Sequence, residues 1–547
     1  MANTRRSASR AIFLCAILAA TALLSISCRP IVHGPGVVEI TPAPPGRAGT
    51  PAAGTLQTRV TLRVNAPGGE PVKPFWIDVV GSCNGVLWAE RAKDLSAHLA
   101  HIHQRLGTNE VRFHNILSLV PQPADAERRQ YDFSRVDIVY DAIMAAGVRP
   151  LVEVSFMPPW LASGSKTIFA YKGNVTPPRN IDEWKTLVTA FAKRLEERYS
   201  ADEVRKWRFE IWNEPDLSDF WSGSREDYYH LYKASVEALH AADPALVVGG
   251  PSSALTSIDE KGDLVRWFLE RNRQDPAALN FVTWHLYGGF EQDGHYNLRG
   301  LIEMRARIDE ISGLCRQREL PLLVTEWNST PHPHDAIHDE PLNAAFALNL
   351  VRTARGKCDA FAYWVISDLF AEQGVPTSEL SGGFGLLSLR GLEKPVFKAF
   401  EMLGMTLGGK WILPDEGQDT QALASWNKKE KKLVLLLWNW PYDVGGSTAE
   451  MPALARDVDI SMHGLPRGRW QGTIYRLDAT HANVTAAWRA MGEPAAPTHK
   501  QMETLTGTAK LAPERLASPL AVGWRTVLTW KAYLKPGDCC AVVLTRE

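Results

Sequence analysis

The sequence predicts an α/β fold: a (β/α)8 TIM barrel followed by a C-terminal β-sandwich domain. Three observations predict it. From Phe75 onward, short apolar, β-branched runs alternate with longer segments whose apolar residues recur with a period near 3.6. Eight such units occur, the number that closes a barrel of parallel strands buried on both faces. Beyond about Gly408 the helical period fades, and short strands separated by turn residues take over. An open doubly wound sheet is the alternative for the first part. Its phosphate-binding glycine fingerprint is missing, because "GSCNGVLW" stands at the first turn.

In chain order, residues 1–27 read as a signal peptide. Arg5, Arg6 and Arg10 precede an apolar run of sixteen residues, Ala11 to Ile26, short for a membrane span. The run closes on "SISC", with Ser25 and Ser27 spaced as at a cleavage site and Cys28 next. Leu24 sits one place too early for a regular lipoprotein signal, and "RRSAS" lacks the apolar residues of a twin-arginine signal. The expectation is export to the periplasm or cell surface, with a membrane tether through Cys28 left open. Residues 28–57, rich in Pro, Gly and Ala, are assigned no fold and read as a tether. Residues 58–74 open with the alternating "RVTLRVN", a strand expected to join the sandwich.

The barrel is assigned to residues 75–407. Its strands are "FWIDVVG", "EVRFHN", "RPLVEVSF", "RFEIWNE", "ALVVGGP", "LNFVTWHLYG", "PLLVTEWN" and "FAYWVISD"; its helices include "RAKDLSAHLAHIHQRLG", "DEWKTLVTAFAKRLEERY" and "DYYHLYKASVEALHAAD". "KPVFKAFEMLGMT" reads as the last helix. Residues 408–547, with "KKLVLLLWNW", "GRWQGTIYRLD" and "CCAVVLTRE", form the sandwich.

Composition narrows the ligand. With 60 Lys+Arg against 61 Asp+Glu the chain lacks the basic excess that a nucleic-acid or anionic-membrane partner demands, so a neutral or weakly charged ligand is expected. Nineteen tryptophans are many; exposed indole faces hold sugar rings, although for any single one a core position is the plainer reading. Cys15 falls in the signal. Cys28, Cys83, Cys315, Cys358, Cys539 and Cys540 show no zinc spacing and make no disulfide scaffold. No metal and no cofactor are expected, and a homo-oligomer is left open.

A barrel of this kind builds its active site at the C-terminal ends of its strands. There the sequence sets Arg112 and His114 (strand two), Asn213 and Glu214 (four), His285 and Tyr287 (six), Glu326 (seven), and Trp364 and Asp368 (eight). Glu214 and Glu326 lie 112 positions apart (326 − 214), three βα units, so they can face each other across the mouth. A facing pair is what glycoside hydrolysis needs: an acid that protonates the leaving oxygen, and a carboxylate that attacks the anomeric carbon or activates water. One strand-end glutamate alone would read as an ion-pair partner.

"FEIWNEPD" with "VTEWNST" resembles glycoside hydrolase family 39, whose bacterial members are chiefly β-xylosidases and whose animal relatives are α-L-iduronidases. The likeness runs from about Trp76 to Leu407 and includes "MPPWLASGSKTIFAYKGNVTPP", "HDEPLNAAF" and "SELSGGFGLL". The resemblance implies a retaining double displacement with Glu214 as acid/base and Glu326 as nucleophile. It implies that Asn213 bonds the sugar 2-OH, that His114, His285, Tyr287, Trp364 and Glu372 line the sugar pocket, and that Arg112 supports the nucleophile. The expected activity is release of terminal β-D-xylosyl residues from short xylo-oligosaccharides or xylosides. Two departures bear on the sugar: Leu119-Val120 stand where the xylosidases tend to carry acidic residues, and Pro159-Trp160 replace a basic pair. The alternatives are another sugar (β-glucoside, β-galactoside, arabinoside or uronide) on the same machinery, and a noncatalytic carbohydrate-binding barrel, whose mark would be loss of one glutamate.

Overall fold

The structure is a computed structural model that describes residues 37–40, 55–66, 69–125, 130–254, 263–292, 295–298, 301–412, 421–441, 446–447 and 454–547. The signal segment and Cys28 lie outside the described residues.

Eight parallel strands close into a barrel in sequence order: β1 (Val79–Asn84), β2 (Glu110–His114), β3 (Arg149–Val154), β4 (Arg208–Ile211), β5 (Val247–Ser253), β6 (Phe281–Tyr287), β7 (Leu322–Asn328) and β8 (Ala360–Tyr363). The main helices between and after them are α1 (Gly85–Leu106), α2 (Ser134–Ala145), α3 (Ile181–Tyr199), α4 (Arg225–Ala242), α5 (Leu264–Gln274), α6 (Leu301–Arg316), α7 (Pro341–Ala354) and α8 (Pro395–Gly404). Local chemistry sets their starts. Asn180 accepts from the amides of Asp182 and Glu183 at the head of α3, Ser224 and Asp227 form a reciprocal capping box on α4, and proline opens α7 and α8.

Alternation along the strands fixes what faces the barrel axis. Val80, Val111, Val152, Phe209, Val282, Val324 and Phe361 join the large core beneath the helices. Val79, Leu151, Phe281, Leu323, Ala360 and Ala362 form a separate apolar cluster that fills the lumen near its floor. Glu153 stands two residues beyond Leu151, with Glu210 opposite it on β4 and Arg112 on β2 paired to both, so a buried charged layer stands on the apolar one.

The first strand starts later than the "FWIDVVG" run. Phe75 to Asp78 turn instead, with Ile77 and Asp78 donating to the Pro74 carbonyl, and the pairing begins at Val79. The apolar Phe75 and Trp76 serve the barrel floor, against Phe361 and Trp411. Helix α1 likewise begins six residues before "RAKDL", capped by Asn84, and kinks at Arg91.

Beyond the barrel, two sheets face each other. One contains Lys410–Ile412, Ala422–Asn427, Lys432–Trp438, Cys539–Arg546 and Gly468–Leu477; the other contains Val37–Ile40, Val527–Leu534, Arg456–His463 and Leu56–Arg63. Leu62, Leu435, Ile460, Trp470, Trp530 and Val542 are among the residues packed between them. Three features depart from the sequence reading. Val37–Ile40, inside the stretch assigned no fold, is a short β-branched run that pairs in parallel with Val527–Trp530. Leu56 and Gln57, also given to the tether, already belong to the strand that pairs with Arg456–His463. Val484–Ala490 and His499–Thr508 are helices where only strands were expected; Trp488 and Leu505 pack with Leu380 and Leu392 of the loop after β8. Twelve of the 19 tryptophans, Trp76 and Trp364 among them, are essentially buried, so most of the indoles are core. Cys83, Cys315, Cys358, Cys539 and Cys540 are free and buried.

Candidate active site

Arg112 is the centre of the charged layer, wholly buried on β2. Its Nε donates to Glu210, its Nη1 to Glu326 Oε1 at 2.6 Å, and its Nη2 to Asn213 Oδ1 at 2.7 Å and Ser252 Oγ at 3.1 Å. The Nη2 atom also lies 2.8 Å from Glu153 Oε2. Three carboxylates around one guanidinium leave an excess of negative charge in a largely buried site. A proton must lower that excess, and Glu214 takes it up. Burial first, then the Glu326 carboxylate and Asp216, hold the Glu214 carboxyl well above the ordinary glutamate range.

Glu214 reaches the site through a backbone kink after β4. Trp212 and Glu214 both have left-handed φ, 72° and 46°, and the Glu214 amide donates to the Ser252 carbonyl at 2.9 Å. Such conformations persist only where neighbours fix them; here Trp212 is clamped edge-on by Trp221 with its Nε1 on the Phe220 carbonyl. Glu326 is set by a bulge instead. The β6–β7 register shifts after Trp284, which brings His285 opposite Glu326, and the β7–β8 register shifts between Val324 and Trp327.

His285 bridges the two halves. Its Nδ1 is 2.7 Å from Glu214 Oε1 and 3.7 Å from Glu326 Oε2, and its Nε2 is 3.1 Å from Ser252 Oγ. Burial, with Arg112 and His114 nearby, pushes the imidazole well below its usual value, so it is neutral at pH 7. Tyr287 donates to Glu326 Oε2 at 2.7 Å. His114 bonds Glu153 Oε2 through Nδ1 at 2.7 Å, with its Nε2 3.5 Å from Glu326 Oε1 and 4.0 Å from Glu372 Oε1. Burial raises Glu153, but His114 and Arg112 outweigh it and keep that carboxyl below its ordinary value. Trp364 packs against His114 with ring centroids 4.8 Å apart. It needs Gly81 beneath it, since a Cβ there would lie 2.3 Å from Trp364 Cε3. Glu372 is no solvated loop charge: burial, then Glu326, lift its carboxyl well above the usual range.

The fold therefore brings Arg112, His114, Asn213, Glu214, His285, Tyr287, Glu326, Trp364 and Glu372 together. Asp368 stands apart, paired with Lys394. Trp160 donates its Nε1 to the Val120 carbonyl at 3.0 Å and stacks on Tyr131, so the two departing loops form one packed wall with the buried Leu119.

Sequence reasoning missed Glu153, Glu210, Ser252 and Tyr171. The first two carried a signal: a charge inside a strand buried on both faces is costly unless paired, so each called for a cation on a neighbouring strand. Tyr171, on the loop between the two short strands Thr167–Ile168 and Gly173–Asn174, carried none. Its buried hydroxyl has no hydrogen-bond partner among the described residues, and Glu372, Glu153 and Glu326 act on it through space.

One ligand atom from each of Glu214, His285 and Glu326 lies within 4.8 Å of the others, near enough for a metal ion. Arg112 and Tyr287 already occupy the Glu326 oxygens, and the positive charge that a metal would supply is the guanidinium's. A protonated carboxyl facing a carboxylate is instead the pair for acid-assisted displacement at an acetal carbon. Asn213 Nδ2, buried and without a partner among the described residues, is left as a free donor beside it.

A family model described as glycosyl hydrolases family 39 matches residues 59–521. A β-xylosidase from Caldicellulosiruptor saccharolyticus is 32% identical over 467 residues, 82% of this chain and 90% of that protein. A β-xylosidase from Geobacillus stearothermophilus is 31% identical over 462 residues, 81% of this chain and 88% of that one. Among solved structures, a monomeric β-xylosidase from Caulobacter crescentus CB15 superposes with a TM-score of 0.76 at 27% identity, covering 89% of this chain and 99% of that one.

Proposed function

The chain belongs to glycosyl hydrolase family 39 and is a glycoside hydrolase, and from that premise we propose that it removes terminal β-D-xylosyl residues from xylosides and short xylo-oligosaccharides by a retaining double displacement. The observation that carries the mechanism is the approach of a Glu214 oxygen to within 4.8 Å of one of Glu326, with the proton held on Glu214. Retaining enzymes keep their carboxyl groups about 5–5.5 Å apart, whereas inverting ones hold them roughly 6.5–9.5 Å apart to admit a water. The sugar is supported by two relatives of near full length that are named β-xylosidases.

In the first step Glu326 attacks the anomeric carbon while the bond to the leaving oxygen breaks and the Glu214 proton passes to that oxygen. The Glu326 charge disappears into the ester, so the Coulombic part of what held the proton on Glu214 is removed. Glu214 then takes a proton from the water that attacks the same carbon and frees Glu326. His285 positions the acid, since Nδ1 accepts from the protonated Glu214 carboxyl while Nε2 donates to Ser252 Oγ. Asn213, held by Arg112, offers its Nδ2 to the sugar 2-OH, a bond that strengthens in the transition state.

Two measurements test this reading. Product release from β-D-xyloside, β-D-glucoside, β-D-galactoside, α-L-arabinoside and α-L-iduronide should favour the xyloside; preference for another sugar would keep the mechanism and move the explanation to the Leu119 and Trp160 loops. A 2-fluoro-xyloside should leave a covalent adduct on Glu326, and turnover without any adduct by mass spectrometry would overturn retention. Export is supported by the apolar run after Arg5, Arg6 and Arg10, with Cys28 at its end; fractionation of the producing cell, with Cys28→Ala to separate anchored from free enzyme, tests it. For the oligomeric state, the neighbour from Caulobacter crescentus is described as monomeric.

A further inference from the structure

The pole of the barrel opposite the catalytic mouth holds a cavity of about 770 Å³, bounded by the start of β1, the end of α6, the α7–β8 turn and Trp411 of the sandwich. Its charges are unevenly committed. Lys357 pairs with Asp309 at 2.6 Å. Asp78 accepts from Asn109 Nδ2 at 2.7 Å, and Asp359 from the Leu322 amide at 3.0 Å, so both carboxylates are engaged by the barrel rim. Glu70 is exposed and acts on Arg355 only through space. Lys73 and Arg316, on the cavity's edge, are exposed and make no ion pair among the described residues.

Arg355 is the anomaly. It is half-withdrawn from solvent, its guanidinium lies over the Trp411 ring at 5.6 Å, its Nε is buried without a partner, and it makes no hydrogen bond or ion pair through its side chain with any described residue. Comparably withdrawn arginines in this chain are paired: Arg307 with Asp263 and Glu310, Arg208 with Glu110. A guanidinium taken from water without a counter-ion is costly, and its planar fork of donors fits a carboxylate or phosphate in two-point contact.

We propose that this cavity is a second ligand site, independent of the catalytic pocket, that takes an oxyanion, foremost the carboxylate of an acidic sugar. Arg355 receives the anion over the Trp411 ring, and Lys73 and Arg316 add long-range attraction. The volume favours a sugar acid over a bare ion, since it falls within the roughly 300–1,000 Å³ of small-molecule sites, far more than inorganic phosphate fills.

The test is calorimetric titration of the full chain, as wild type, Arg355→Gln and Arg355→Lys, with D-glucuronate, neutral methyl β-D-glucoside and inorganic phosphate. D-glucuronate is expected to bind the wild type, about tenfold or more weaker in Arg355→Gln and partly restored in Arg355→Lys. The neutral glucoside should show no Arg355 dependence, and xyloside turnover should be unchanged in all three proteins. Phosphate binding lost in the same variant would support the oxyanion site and assign its occupant as inorganic. D-glucuronate and phosphate binding that is absent, or equal in wild type and Arg355→Gln, would overturn the proposal, because surviving heat would belong to the catalytic pocket. If Arg355→Gln does not fold, the exposed pair Lys73→Gln and Arg316→Gln asks the same question: the double variant should weaken D-glucuronate several-fold, and unchanged affinity would count against the site.

Discussion

Two buried cations in this barrel, Arg112 and Lys394, are each surrounded by more carboxylates than they can neutralise, yet one cluster faces the pocket and the other is sealed. Arg112 has Glu153, Glu210 and Glu326 against it. Lys394, also wholly buried, has Asp339 Oδ1 at 2.5 Å, Asp368 Oδ2 at 3.0 Å and the Gly383 carbonyl at 2.7 Å. In both, burial and a neighbouring carboxylate raise one carboxyl above its ordinary value. Around Arg112 that carboxyl is Glu214, raised well above its ordinary range and next in the chain to Asn213, whose Nδ2 has no partner among the described residues. Around Lys394 it is Asp368, raised only to about 6, whose oxygens meet the Gly385 amide and Lys394 itself. Buried charge thus raises proton affinity in both clusters; it becomes chemistry only where the proton is held firmly and can leave.

The comparison breaks most sharply at the carboxylates. Glu326→Ala should lower turnover on the order of 10⁴-fold or more, and Glu214→Ala by about 10²–10⁴-fold on a disaccharide but much less on an aryl glycoside with a good leaving group. Azide should rescue Glu214→Ala by attacking the glycosyl-enzyme to give a β-glycosyl azide of retained configuration, whereas any azide product of Glu326→Ala forms by direct displacement with inverted configuration; the reverse pattern of products would undo the division of roles. Because Glu214 must be protonated to act and its carboxyl is raised, wild-type activity should fall as pH rises through that raised value. An alkaline limb that persists in Glu214→Gln would assign it to another group.

The cations come next. Arg112→Met and Lys394→Met each leave carboxylates buried without a counter-charge, and each should cost roughly 3–5 kcal/mol in denaturant unfolding. Only Arg112→Met should also abolish activity in the folded fraction, with Lys394→Met retaining turnover within about tenfold. Equal losses of activity would mean that the sealed cluster also sets the catalytic geometry.

Much of this contrast was legible in the sequence, unequally. The eight strands, both glutamates, His285 and Tyr287 follow from period and strand-end position, because inward direction in a barrel strand is a local property. Arg112 was legible as a strand-end cation, but its partners Glu153 and Glu210 were not named, since pairing across strands 41 and 98 positions away is written only in the closed barrel. Asp368 was grouped with the site by its nearness to Trp364. The chain turns away after Tyr363, and the carboxylate meets Lys394, a partner that nothing in "FAYWVISD" announces. The helices Val484–Ala490 and His499–Thr508 were hidden because they interrupt a strand-rich segment and bury only one narrow face.

The smallest expected effect tests the proton on the sealed side. Burial, resisted by Lys394 and aided by Asp339, raises Asp368 to about 6. A folded-state value above the unfolded one means that this group's contribution to stability is fully present below the unfolded value near 3.8 and is lost as pH rises through about 6. Asp368→Asn cannot ionise, keeps an oxygen for the Gly385 amide, and leaves Lys394 paired with Asp339. Relative to wild type, its Tm should therefore improve from pH 4.5 to pH 7.5 by about a degree or two in a chain of this size. A difference that stays flat across that range would show that Lys394 already holds Asp368 ionised, and the two clusters would then differ in kind rather than only in access.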